Sequence, residues 1–250
     1  MIDFHSHVLP GIDDGAKDVE TSVAMLKESK RQGVTTVVCT PHYSGRKRSP
    51  EWFKERRNAA YERLKPHIPD GMELRLGAEV FFPEDSVLSN EQLSRLCIDG
   101  TRYVMLELPF CPKYSERLFE RIESFIAETD CIPLIAHVDR YPAVWKKPNI
   151  VGRLIDMGCV IQLNADAFAV KEIKGFAKVV LERGMAHAIG SDMHNMDKRA
   201  PSLCKYTEAI PAFGLEAQGA RVMETAADIL ADRIVKAESK PIRKFFGKYF

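Results

Sequence analysis

The chain has 250 residues, 45% of them hydrophobic and 28% charged, the composition of an ordinary globular protein. A formal net charge of +1 leaves no global field to attract nucleic acid or other polyanions. No apolar run approaches the ~18 residues of a membrane span, the N-terminus lacks a signal-peptide layout, and the six cysteines form no C-x-x-C pair. The expectation is therefore a cytoplasmic protein with reduced thiols, and a single domain over residues 1–250.

Ile2 to Val8 alternates as a strand, which puts His5 and His7 on one face about 7 Å apart. A Pro10-Gly11 break and the carboxylate turn Asp13-Asp14-Gly15 follow, returning oxygen donors over the strand end. From the residues alone the ligand is either Asp13 or Asp14. Asp3 shares the face of His5 and is placed as a partner behind the ligands. Asp18 to Gln32 reads as a helix stopped by Gly33. Thr35 to Thr40 is a β-branched strand broken by Pro41 and ending at His42. Glu51 to Leu64 is a charged helix, and Leu74 to Val80 a third strand carrying Glu79 near its end. Tyr103 to Leu108 is a fourth strand carrying Glu107. Glu116 to Thr129 is helical, and Ile132 to Ala136 is a fifth strand ending at His137. Val151 to Met157 leads through Gly158 into the sixth strand, Cys159 to Asn164. Phe176 to Arg183 is helical, Ala186 to Gly190 is the seventh strand, and Ser191-Asp192-Met193-His194 follows it. From about Pro201 the chain reads as mostly helical, up to a basic, aromatic tail over residues 238–250.

Seven strands alternating with helices predict an α/β fold with a mostly parallel sheet, and closure into a barrel suits this length. Chemistry in such barrels sits at the C-terminal strand ends, and His7, His42, Glu79, Glu107, His137 and Asp192 all fall there. Together with His5, Asp14 and His194 they make nine nitrogen and oxygen candidates and no thiolate. One ion takes four to six ligands, so the set points to two or three divalent ions sharing carboxylates. Manganese, iron, zinc and magnesium all suit these donors, and spacing does not rank them.

H-x-H on the first strand, T-P-H on the second, an A-H strand end and a terminal S-D-x-H resemble the PHP (polymerase and histidinol phosphatase) superfamily. The resemblance is closer to its bacterial metal-dependent protein tyrosine phosphatases, which act beside the tyrosine autokinases of capsule and exopolysaccharide synthesis. Matching stretches run in order through M-I-D-F-H-S-H-V-L-P-G-I-D-D-G, T-P-H-Y, G-A-E-V, L-E-L-P-F, I-A-H-V-D-R-Y and S-D-M-H-N. The resemblance implies a distorted seven-stranded β/α (TIM-like) barrel of the PHP fold, three ions with manganese preferred, and a phosphotyrosine protein as substrate. It assigns His5, His7, Glu79 and Asp192 to one ion. Glu79 as a bridge, Glu107 and His137 go to a second, and Asp14, His42 and His194 to a third. Carboxylates at Asp14 and Glu107 side with the tyrosine phosphatase branch, where many PHP proteins have histidine. Arg140 and Arg199 match family arginines that contact phosphate, and a planar guanidinium suits that role. Asp139 stands where the family often has Glu, which leaves its part in orienting Arg140 open.

Cys111 to Arg117 has the C-x5-R spacing of thiol phosphatases, but it contains no glycine to wrap backbone N–H groups round a phosphate. Histidinol phosphate phosphatase is the alternative enzyme, and a non-catalytic PHP module the alternative from another class. The ligand set is complete and the charge near neutral, which argues against the module and against nucleic acid. The basic loop Arg46-Lys47-Arg48 suits an acidic phosphorylated chain. The tail could meet a membrane surface or a kinase partner, and packing on its own barrel is the favoured expectation.

Overall fold

The computed structural model describes residues 1–46, 48–83, 88–245 and 247–250. Lys47 of the basic loop and Phe246 of the tail lie outside the described residues. The elements run β1 (Ile2–Ser6), α1 (Val19–Arg31), β2 (Thr36–Cys39), β3 (His42–Tyr43), α2 (Pro50–Leu64), β4 (Glu73–Leu76), β5 (Glu79–Phe81) and α3 (Asn90–Ser94). They continue with β6 (Tyr103–Glu107), α4 (Glu116–Glu128), β7 (Ile132–Ile135), α5 (Pro142–Lys146), α6 (Ile150–Asp156) and β8 (Val160–Asn164). After these come α7 (Lys174–Glu182), β9 (Ala188–Gly190), α8 (Leu203–Phe213), α9 (Glu216–Leu230), β10 (Lys244–Phe245) and β11 (Lys248–Tyr249).

The fold is α/β. Strands β3-β5-β6-β7-β8-β9 form a parallel six-stranded sheet curled as a half-barrel, and β1-β2-β4 form a parallel three-stranded sheet. Two stretches predicted as single strands are each interrupted, at Thr40-Pro41 and at Gly77-Ala78. Pro41 has no N–H with which to continue a ladder, so the pairing lapses there and resumes a residue later. Gly77 N donates to Cys39 O at 2.8 Å and Glu79 N to Pro41 O at 3.1 Å, which links the two sheets across the break. At the other margin Asp192 N donates to His5 O at 2.8 Å and His7 N to Met193 O at 2.9 Å, beside an isolated bridge from Ser6 to Met193.

Sequence signals explain the helix ends. Asp18 caps α1 by accepting from Thr21 N at 2.8 Å, and Ser49 caps α2 by accepting from Trp52 N, with Pro50 in the first turn. Helix α4 turns Leu118, Phe119, Ile122 and Phe125 inward against the sheet. The core runs from Val8 and Leu9 to Ile242, so the last turns of chain are anchored to the rest. Beyond α9 the expected helical run gives way to an extended segment and the short β10–β11 hairpin. Pro241 and Gly247 oppose a helix there. The tail packs on its own chain: Ile242 is buried, its N–H donates to Asn149 Oδ1, and Tyr249 meets Phe176 edge-on at 5.4 Å. No helix of the described residues is long and apolar enough to cross a membrane.

Candidate metal centre

Five of the seven histidines gather at or just past the ends of β1, β7 and β9 and at the start of β3, where His42 is the first residue, as Glu79 is of β5. The alternation of β1 sends His5 and His7 inward, with their Nε2 atoms 3.1 Å apart. Glu79 Oε2 lies 3.2 Å from both nitrogens and 3.0 Å from His42 Nδ1, while Glu79 Oε1 lies 2.6 Å from His137 Nε2. Asp192 Oδ1 is 3.6 Å from His5 Nε2 and 3.4 Å from His7 Nε2. Glu107 Oε1 lies 3.8 Å from His137 Nε2. All nine candidates therefore meet in one place.

Donor atoms converge within 4.8 Å in four overlapping groups: His7, Asp14, His42 and His194; His5, Glu79 and His137; His5, His7 and Asp192; His42, Glu79 and Glu107. Three buried atoms in this cluster, Glu79 Oε2, His137 Nδ1 and His194 Nε2, have no hydrogen-bond partner among the described residues. Buried polar atoms without partners are costly, and nitrogen and carboxylate lone pairs facing one another suit divalent cations. The residues present thus fit a metal cluster.

Adjacent residues hold these side chains in place. Asp13 Oδ2 accepts from His7 Nδ1 at 2.7 Å and from His42 N at 2.9 Å, and its Oδ1 accepts from Gly15 N. That leaves Asp14, 65% exposed, with Oδ1 3.5 Å from His42 Nε2 and 3.6 Å from His194 Nε2. The geometry thus separates the two aspartates: Asp13 orients His7 and Asp14 faces the donors. Asp3 Oδ1 accepts from the His5 backbone N–H at 3.4 Å. Its carboxylate accepts from Ser191 N and Ser191 Oγ, pinning β1 to the loop that carries Asp192. Gln162 and Asn164, on β8, were not among the predicted residues. Gln162 Oε1 lies 3.3 Å from His5 Nδ1 and accepts from His137 N, and Asn164 Nδ2 donates to Asp192 Oδ2. Two amides alternating with apolar residues on a buried strand were the available signal.

His137 has φ 29° and Asp192 φ 55°, left-handed values that a non-glycine residue adopts only when its surroundings hold it there. Burial alone would raise the Glu79 and Asp192 carboxyls, but the neighbouring imidazoles, His5 foremost, hold both well below the ordinary range. Burial, with the Glu79 charge beside it, pushes the Glu107 carboxyl up to about 7.

Both predicted arginines stand at the rim. Arg140 Nη1 donates to Asp192 Oδ2 at 2.8 Å and Arg199 Nη2 to Asp192 Oδ1 at 2.7 Å, one from each side. Asp139 does not bond Arg140; its Oδ1 accepts from Asn164 N. Phe110, 48% exposed, lies under the Arg140 guanidinium at 5.2 Å and stacks on His137 at 5.8 Å. A cavity of about 900 Å³ opens from Asp14, His42 and Glu107 and is lined by Tyr43, Trp52 and Phe81, with Arg46 and Arg48 on its wall. Cys111 donates its thiol hydrogen to Lys113 O, while Arg117 is exposed in the first turn of α4, so the C-x5-R spacing does not build a phosphate cradle.

Fold and donor set together define the class: an α/β protein with a multi-ligand, metal-type centre at the C-terminal ends of its strands. Residues 1–230 match the family model described as capsular polysaccharide synthesis, CpsB/CapC, and the chain belongs to that family. It is 31% identical over 245 residues to the tyrosine-protein phosphatase CpsB of Streptococcus pneumoniae, covering 94% of this chain and 100% of that one. It is 32% identical over 211 residues to the tyrosine-protein phosphatase YwqE of Bacillus subtilis, covering 80% and 79%. A crystal structure from work on YwqE and CpsB, described as unique metal-dependent tyrosine phosphatases, superposes with a TM-score of 0.82 at 26% identity. It covers 98% of this chain and 100% of that one.

Proposed function

We propose that this chain is a metal-dependent protein tyrosine phosphatase. The observation that carries the reading is a donor cluster with orphaned buried atoms that opens directly into an aromatic-lined cavity. In this reading His5, His7, Glu79 and Asp192 hold one ion, Glu79, Glu107 and His137 a second, and Asp14, His42 and His194 a third. Manganese is the metal that the family resemblance favours, and the nitrogen and oxygen donors suit iron, zinc and magnesium as well. Divalent ions here supply a nucleophile from water at neutral pH and neutralise charge on the phosphoryl oxygens.

The chain's own residues do the rest. Arg140 and Arg199, already converging on one carboxylate, hold phosphoryl oxygens through charge-assisted hydrogen bonds. Trp52, Tyr43 and Phe81 seat the phenyl ring, and Arg46 and Arg48 favour an acidic peptide. A phenolate leaves with a pKa near 10, so little protonation of the leaving group is needed. The substrate in this reading is a phosphotyrosine protein of capsule synthesis, a setting that the family membership supports, and a tyrosine autokinase is the proposed one. Six free cysteines suit a cytoplasmic setting.

The scaffold is read as one domain over residues 1–250 and a distorted seven-stranded β/α barrel. Strands β2 and β3 count as one interrupted strand, and β4 and β5 as another. The hydrogen bonds between β1 and the segment after β9 support closure.

The test is metal analysis of purified protein coupled to assays on a phosphotyrosine peptide, a phosphoserine peptide and histidinol phosphate. The reading requires bound metal, loss of activity in chelator, recovery with manganese, and the largest kcat/KM on phosphotyrosine. A preference for histidinol phosphate would make the protein a small-molecule phosphatase.

A further inference from the structure

A second cavity, of about 490 Å³, lies away from the metal centre, at the opposite end of β9. Its walls are the C-terminal end of α7, one face of α9 and the segment 235–240. Residues Gln218, Arg221, Val222 and Thr225 line it from α9 at the i, i+3, i+4, i+7 spacing of a single helix face. Four cations border it, Arg183, Arg221, Lys236 and Lys240, against two carboxylates, Glu182 and Glu238. Among the described residues none of these four cations is in an ion pair. Unpaired cations of one sign bordering one concavity repel each other, and an anion between them relieves that repulsion.

A buried imidazole supplies the second observation. His187 lines the same cavity and is 3% exposed. Its Nδ1 accepts from Ile161 N at 2.9 Å, so a neutral ring carries its proton on Nε2. Burial, with the Arg221 charge added, lowers its pKa to about 4 and keeps the ring neutral. Nε2 is therefore a donor, and it has no partner among the described residues. A buried donor left over beside a guanidinium calls for an acceptor that bears negative charge.

We infer that this cavity is a binding site for a small phosphate-bearing anion, held by Arg221, the His187 Nε2–H and the lysines of the 235–240 segment. The volume admits inorganic phosphate or a small phosphate monoester. The inference stands apart from the proposed catalysis, because its residues lie at the other end of the sheet.

Phosphate is also a product of the proposed reaction and binds at the metal centre, so the readout must be local. Metal-loaded enzyme labelled with ¹⁵N-histidine is titrated with inorganic phosphate and, separately, with AMP, while the His187 ring signals are followed. Both probes, or one, should shift His187 saturably; the tighter one assigns the site to free phosphate or to a monoester. Arg221→Glu should raise the half-saturating concentration at least about tenfold while leaving kcat/KM on a phosphotyrosine peptide within about twofold at low phosphate. Lys236→Glu, on an exposed residue, serves as a second variant with the same expectation if Arg221→Glu does not fold. A His187 ring that stays still with both probes while the metal-site histidines respond, or a charge reversal that leaves its titration unchanged, overturns the inference.

Discussion

Asp13 and Asp14 are neighbours with different partners, and that difference is testable. Asp13 fixes the His7 ring through Nδ1, and it also ties His42 N and Gly15 N to the same carboxylate. Partners behind a ligand set its orientation, and losing one lowers metal affinity about ten- to a hundred-fold. Asp13→Ala should therefore release metal at correspondingly lower chelator concentrations. Asp13→Asn should recover part of the loss, because the amide oxygen still accepts from His7. Equal metal retention in Asp13→Ala and parent would show that His7 needs no such anchor. The arginines should behave differently. Arg140→Ala and Arg199→Ala each remove a charge-assisted contact of about 1.5–3 kcal/mol, or roughly ten- to a hundred-fold in kcat/KM. Both should keep their metal, since neither belongs to a donor group. Steady-state kinetics beside metal analysis separates the two outcomes, and unchanged kcat/KM in both variants would remove the arginines from the site.

The elements carry the candidate ligands at strand breaks and strand ends, and most of that was legible. His42 follows the Pro41 break, His137 follows an apolar run, and Asp192 follows Gly190, so local chemistry marked each strand end. The spans of α1, α2 and α4 followed from periodicity and capping residues. What the sequence hid depends on register between distant strands. Nothing near Gln162 says that its amide will meet His5 and His137, and nothing near Asp3 says that it will reach Ser191. The interruption at Gly77 follows from Pro41 on the neighbouring strand, not from its own flanks. The β10–β11 hairpin was hidden as well, because a hairpin this short is set by packing on α7 and not by its own periodicity, whereas Pro241 and Gly247 already opposed a helix and the tail's packing on its own chain was expected. Gly190 shows register acting on a single position. A Cβ there would sit 2.4 Å from His5 Cβ, 2.9 Å from His5 N and 2.9 Å from Gln162 Nε2. Gly190→Ala must push β9 off β1, at a cost of more than about 2 kcal/mol in urea unfolding and with loss of bound metal. A Cβ on Gly175, near the start of α7, would among the described residues meet only Tyr249, at 3.8 Å. There, alanine should be neutral or stabilising by up to about 1 kcal/mol. The idea fails if Gly190→Ala is as stable as Gly175→Ala.

Across the whole molecule, the sheet separates two kinds of buried histidine, and only one kind should govern acid stability independently of metal. The ring of His187 sits at the start of β9, away from the donor cluster, and accepts the Ile161 N–H in its neutral form. Its folded pKa is about 4, lowered first by burial and then by Arg221, against 6.5 for an ordinary histidine. Between those values the unfolded chain binds a proton that the folded chain refuses. Stability from the neutral ring is thus complete above about pH 6.5 and declines as pH falls toward 4. Each unit of separation is worth about 1.4 kcal/mol, so the full loss is on the order of 3 kcal/mol. Acid would also act on the proposed metal cluster, which would confuse a measurement on the parent alone. Comparison with His187→Gln removes that contribution, since the amide oxygen can accept from Ile161 N but does not titrate. Unfolding in denaturant at pH 7 and at pH 5 should show a smaller loss of stability in His187→Gln, the difference being about 2 kcal/mol. Parallel losses in the two proteins would mean that His187 takes up a proton in the folded state as readily as in the unfolded one.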